Sequence, residues 1–238
     1  MEDMAASQLP LTLIVAATVR NGIGSKGTLP WPMLKKEMAY FARVTKRVVP
    51  PTIPSDAPKD IPRRNAVIMG RKTWDSIPPN FRPLKDRTNI VISSKTREQL
   101  ASPPGPDVLV AADIAAGLRA LEARVQSGEA PPATAAFVIG GASVYEAALR
   151  LPQTKRILLT RIRRDYECDT WFPVDLDGDE EGGGGDGDGA TVGLQRGWRR
   201  RSLAELRRVV GEEVPEGLVT ETVGEGEVQF EYRLYERS

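Results

Sequence analysis

The stretch TLPWPMLKKEMAYFARVTKR, residues 28–47, carries a single acid, Glu37, among lysines and arginines. Wound at 3.6 residues per turn, residues 33–47 form a helix with Leu34, Met38, Phe41, Val44 and Thr45 on one side. Lys35, Lys36, Arg43, Lys46 and Arg47 fall on the opposite, solvated side, and Glu37 sits inside the apolar stripe. A carboxylate turned that way needs a polar partner. The ordinary partner is a neighbouring Lys or Arg. Trp31 and Pro32, which build a rigid apolar wall just before the helix, favour a second possibility: two parallel hydrogen bonds from an amidine-like N–C–N edge.

The ends of several apolar runs could hold an anion. In FVIGGASVY, residues 137–145, a strand runs into a Gly pair and then a helix start. The backbone N–H groups of Gly141, Ala142 and Ser143 can there face a negative charge, with the helix dipole behind them. VIMGRKTW, residues 67–74, repeats the arrangement with Gly70, Arg71, Lys72 and Thr73, and ISSK, residues 92–95, adds Ser93, Ser94 and Lys95. Each alone reads equally well as a tight turn or a solvated helix start. Three together point to a ligand with several phosphates. An NAD site would present an acid to the ribose 2′-hydroxyl, whereas these turns present Arg71, Ser93, Ser94 and Lys95, which favours NADPH. NGIGSKG, residues 21–27, spells the dinucleotide fingerprint, but Pro30 and Pro32 forbid a helix directly after it. It is expected to be a flexible loop that closes over a ligand.

Composition narrows the chemistry. The 238 residues contain no histidine, which removes Ser-His-Asp and Cys-His nucleophiles, the usual zinc ligands and the commonest general base. One cysteine, Cys168, excludes an internal disulfide and suits a reducing compartment, so the cytoplasm is the expected address. No apolar stretch is long enough to span a membrane, and MEDMAASQLP lacks the apolar core of a secretory signal. Net charge is +1, and residues 177–189 alone hold six acids, so the rest of the chain is modestly basic. That balance suits small anionic ligands better than nucleic acid. Asp175, Asp177 and Asp179 have the spacing of a calcium loop, but Glu180 stands where such a loop needs glycine, and no metal site is expected.

The positioning elements follow from periodicity. Strands are expected at 11–19, 65–69, 88–93, 107–112, 135–140, 156–162, 197–203 and 228–237, and helices at 33–47, 113–126 and 142–150. Several strands are apolar throughout, as in a largely parallel sheet covered on both faces. The last alternates and is expected to pair antiparallel at the edge. The chain reads as one α/β domain. It is interrupted by a Pro-rich loop at 48–62 and an Asp/Glu/Gly insertion at 177–189 that is expected to be disordered.

GIGSKGTLPWPMLKKEMAYF, VIMGRKTWDSIP, RPLKDRTNIVIS, VIGGASVYEAAL and LLTRI resemble, in order and spacing, the blocks of eukaryotic-type dihydrofolate reductases. The likeness runs from about Leu11 to Phe172 and resumes in the final strand. It implies a single domain with a central eight-stranded, mostly parallel mixed sheet flanked by helices. It also implies NADPH-dependent reduction of 7,8-dihydrofolate to tetrahydrofolate in one-carbon metabolism, by a monomer open to antifolate inhibitors, with no fused second enzyme. By that resemblance Glu37 binds the pterin N3 and 2-amino group, Thr160 bonds Glu37, and Trp31 sits by an ordered water. Ile14, Val15, Met38, Phe41, Ile77 and Leu84 line the folate site, and Arg87 pairs the α-carboxylate of the substrate's glutamate tail. Ala16, Ile23, Ile139 and Tyr145 border the nicotinamide. Gly24, Gly70, Arg71, Lys72, Thr73, Ser93, Ser94, Lys95, Gly140, Gly141, Ala142, Ser143 and Val144 hold the rest of the cofactor. A related pyrimidine reductase or a non-catalytic nucleotide-binding module are the competing readings; the first leaves the block from Trp31 to Phe41 without a purpose.

Overall fold

The computed structural model describes residues 9–48, 62–100, 103–177 and 197–237. The strands are β1 (Leu11–Thr18), β2 (Gly22–Gly24), β3 (Arg64–Gly70), β4 (Arg87–Ile92), β5 (Leu109–Ala111), β6 (Ala133–Val138), β7 (Thr154–Ile162), β8 (Thr170–Trp171), β9 (Trp198–Arg200), β10 (Val219–Val223) and β11 (Gly226–Arg237). The helices are α1 (Lys35–Lys46), α2 (Arg71–Ser76), α3 (Ile114–Gln126), α4 (Ala142–Leu149) and α5 (Leu203–Val210). The expected Pro-rich loop and acidic insertion fall almost wholly outside the described residues.

Eight strands lie across the main sheet in the order β10-β11-β7-β1-β6-β3-β4-β5. From β5 to β7 every neighbour is parallel; β11 then runs antiparallel to β7, and β10 antiparallel to β11. The ninth strand, β9, pairs with Tyr235–Arg237 at the far end of β11, beyond the stretch taken by β10. The two short strands therefore share one edge position. Central residues such as Leu13, Val67, Ile68, Met69, Ile90 and Val138 are completely buried, as strands covered on both faces require. One face packs α3 and α4 through Leu118, Leu121, Tyr145 and Leu149. The other packs α1, α2 and α5 through Tyr40, Val44, Trp74, Leu206 and Val210. Among the described residues no helix is long and apolar enough to cross a membrane.

Three local expectations need correction. The strand expected at 197–203 ends at Arg200, because Ser202 starts α5: its hydroxyl accepts from the N–H of Glu205 while the Glu205 carboxylate accepts from the N–H of Ser202. The stripe on α1 is rotated about the helix axis. Met38 is exposed, and Tyr40 is buried in its place against Tyr232 of β11, ring centroids 4.0 Å apart. That rotation puts Glu37 at the middle of the buried face. Val15 also turns away from Ile14, as successive strand residues must: Ile14 joins the α1 face and Val15 the α4 face.

Candidate active site

Glu37 sits in the first turn of α1, above the C-terminal half of β7, and is 7% exposed. The Thr160 hydroxyl donates to its Oε1 at 3.3 Å. No lysine or arginine among the described residues forms an ion pair with it, so the ordinary salt-bridge explanation fails. Burial pushes its carboxyl from 4.5 up to about 7; the Thr160 bond pulls back, and the nearby Glu221 carboxylate adds to the rise. Trp31, 4% exposed, closes one side together with Leu34, Ile162 and Phe230 and meets Tyr166 edge-on.

α1 does not begin by its own means. Its N-cap, Leu34, has no capping side chain, and the backbone N–H groups of Lys35 and Lys36 donate to the two carboxylate oxygens of Glu221 on β10. Sequence reasoning missed both Glu221 and β10. A signal was present: in VTETV, residues 219–223, Glu221 shares the strand face of Val219 and Val223, so it faces inward with them.

At the adjoining strand ends two helices start without side-chain caps, α2 after Gly70 and α4 after Gly141. The Gly70 N–H donates to the Gly140 carbonyl at 2.7 Å and ties the two starts together. Gly140 has φ +114, a backbone state that favours glycine, and a Cβ there would meet the Tyr145 ring at 3.3 Å. Tyr145, buried under this turn, donates to the Ile14 carbonyl at 2.8 Å. The glycine loop is clasped from β8: the Asp169 carboxylate accepts from the Lys26 N–H at 2.7 Å, and the Asp169 N–H donates to the Gly24 carbonyl at 3.0 Å.

Ile14, Ile139, Phe41, Ile77 and Leu84 share one apolar cluster, Ala16 borders Trp31, and Ile23 packs on the opposite core. Arg87, 8% exposed, donates from Nη1 to the Thr45 hydroxyl at 2.8 Å and lies 6.0 Å from the Phe41 ring centre. Burial lowers its pKa, and no carboxylate among the described residues pairs with it. Other candidates are less converged. Arg71 is held by Asp75 at 2.9 Å, Lys72, Ser94 and Lys95 are exposed, and the Ser93 hydroxyl accepts from the Lys95 N–H at 3.0 Å.

The geometry can grip a flat nitrogen heterocycle at Glu37 and an anionic group at the paired helix starts. The chain matches the family model described as "Dihydrofolate reductase" over residues 10–180. It is 38% identical to the dihydrofolate reductase of Cryptococcus neoformans var. neoformans, over 91% of this chain and 92% of that one. It is 42% identical to the rat (Rattus norvegicus) dihydrofolate reductase, over 71% of this chain and 81% of that one. Among solved structures, Schistosoma mansoni dihydrofolate reductase superposes with a TM-score of 0.67 at 29% identity, covering 97% of this chain and 99% of that chain.

Proposed function

The chain belongs to the dihydrofolate reductase family and reduces 7,8-dihydrofolate to 5,6,7,8-tetrahydrofolate; from that premise we propose which residues carry the reaction and that NADPH is the reductant. The observation that carries the assignment is the buried carboxyl of Glu37, bonded to Thr160 and without a cation partner among the described residues. Glu37 accepts from the N3 and 2-amino groups of the pterin, and Thr160 fixes the rotamer that makes this two-pronged contact. Trp31 and Phe41 exclude bulk water, which strengthens every polar contact inside. Glu37 orients and polarises the ring, and the proton reaching N5 comes from water. Arg87, held by Thr45, pairs the α-carboxylate of the glutamate tail.

The paired helix starts fit a dinucleotide. The uncapped N–H groups after Gly70 and Gly141 suit phosphate oxygens, and a Cβ built on Gly141 would approach only the Thr73 hydroxyl, at 3.5 Å. These helix starts would hold NADPH, which would supply the hydride for C6 of the pterin. Arg71, Lys72, Ser93, Ser94 and Lys95 favour a 2′-phosphate over a bare ribose, and Ala16, Ile23, Ile139 and Tyr145 border the nicotinamide. Antifolates compete for Glu37, and the single thiol of Cys168 suits a reducing, cytoplasmic setting.

The test follows the loss of reduced-nicotinamide absorbance with dihydrofolate at neutral pH. Wild type is expected to prefer NADPH over NADH, and Glu37→Gln to lose at least about a hundredfold in kcat/KM. Near-normal turnover by the variant would remove Glu37 from the reaction.

A further inference from the structure

The first turn of α1 is completed from a strand far away in sequence: Lys35 and Glu221 are 186 residues apart, and Lys36 and Glu221 are 185 apart. Pro30 and Pro32 hold the approach to the helix extended, and Leu34 at the N-cap offers no acceptor. The Lys35 and Lys36 N–H groups donate to Glu221 at 2.5 and 2.9 Å, and the Lys36 ammonium donates to the Thr220 carbonyl at 2.8 Å. Glu221 is 7% exposed and lies opposite Val228 on β11, whose Tyr232 lies opposite Thr160 on β7. The same ladder thus carries both side chains that fix Glu37, one below it and one at the head of its helix.

A serine or threonine at the N-cap would satisfy these N–H groups without burying a charge. What the carboxylate adds is a negative charge against the positive end of the helix dipole, within a turn of Glu37. Unopposed, that dipole would favour the ionised form of an acid in the first turn. We propose that Glu221 is a positioning residue for dihydrofolate reduction: it sets the height of α1 on the sheet and offsets the helix dipole, so that Glu37 meets the pterin in a fixed place. The inference rests on the reading of Glu37 as the pterin-binding acid. The other titratable groups around Glu37 are Tyr40 on its own helix, Tyr145 from α4 and Tyr232 from β11. Burial raises all three phenols, so they stay neutral, while Lys35 and Lys36 are exposed. Among the described residues, Glu221 is the charged group facing it.

The experiment compares wild type with Glu221→Gln and Glu221→Asp, all ligand-free and carrying 13C-labelled glutamate carboxyls; Glu37→Gln assigns the signal. In Glu221→Gln the titration midpoint of Glu37 is expected to fall by about one pH unit, because removing a negative neighbour favours ionisation. KM for dihydrofolate is expected to rise about three- to tenfold as the helix start loosens. Glu221→Asp keeps the charge and shortens the reach, so KM rises while the midpoint stays near wild type. A folded Glu221→Gln protein with midpoint and KM both unchanged overturns the proposal. Should that variant fail to fold, Glu221→Asp with a wild-type KM overturns it instead. The midpoint is read without substrate, so a failure of this inference is separable from a failure of the site assignment, which shows as activity retained by Glu37→Gln.

Discussion

At the scale of single residues, the burial of Glu37 weakens the fold, a cost that the proposed role in pterin binding would account for. Its carboxyl titrates near 7 in the folded protein against 4.5 for an unperturbed side chain. Between those values the folded chain holds a proton that the unfolded chain has released, so stability falls as pH rises through that window. Above pH 7 the full penalty, about 3 kcal/mol, is in force, and below pH 4.5 it vanishes. The ligand-free Glu37→Gln protein is accordingly expected to be more stable than wild type at pH 8, with the difference gone at pH 4; denaturant melts at the two pH values check it. Thr45 offers a second residue-level test. Its hydroxyl accepts from Arg87 and donates to the Phe41 carbonyl at 2.7 Å, so Thr45→Ala leaves the guanidinium held only by its Nε bond to the Lys85 carbonyl at 2.9 Å among the described hydrogen bonds. Dihydrofolate KM should rise about three- to tenfold with kcat nearly unchanged, the signature of lost ground-state binding.

Among the elements, α1 is braced at both ends by side chains from the sheet. Glu221 takes the N-terminal N–H groups, and Asn65 of β3 donates to the carbonyls of Thr45 and Arg47 at 3.1 and 2.8 Å while accepting from Thr134 at 2.7 Å. The helix itself was legible from its 3.6-residue period, and Glu37 stood out as the wrong residue in its stripe. Its rotation was not legible, because Tyr40 reads as a surface residue until Tyr232 is brought against it. Nor was β10, whose threonines and glutamate mask a strand that is apolar on one face only. The buried parallel strands were legible because an unbroken apolar run admits few other readings. α3 lies close enough on β4 that a Cβ at Gly117 would stand 2.7 Å from Ile90 Cγ2. Gly117→Ala is therefore expected to cost about 1–3 kcal/mol, despite alanine's better helix propensity, and a lowered denaturation midpoint would register it.

Across the whole molecule, a charged network fastens the antiparallel edge to the parallel core on the side away from Glu37. The Arg161 guanidinium, 1% exposed, pairs with Asp177 at 2.8 Å and donates to Asn21 at 2.9 Å, at the root of the glycine loop. Arg233 also binds Asp177, and the Tyr235 hydroxyl donates to it at 2.7 Å. Burial pushes the Asp177 carboxyl up, but Arg161, Tyr235 and Arg233 together outweigh it and hold it below the usual range. This support is present at neutral pH and fades as acid reaches that lowered value. Asp177→Ala strands a buried guanidinium and is expected to cost about 3 kcal/mol, with a larger activity loss on warming than the single contact suggests.

The far-reaching brace on α1 also bears on how the enzyme is made. A ribosome that has released Glu37 and all six parallel strands still holds back the carboxylate of residue 221 and the strand that carries it to β7. Translation must reach β10 before the brace at the head of α1 can form. The emerging polypeptide thus acquires the support at the head of this helix only after its parallel strands have been made.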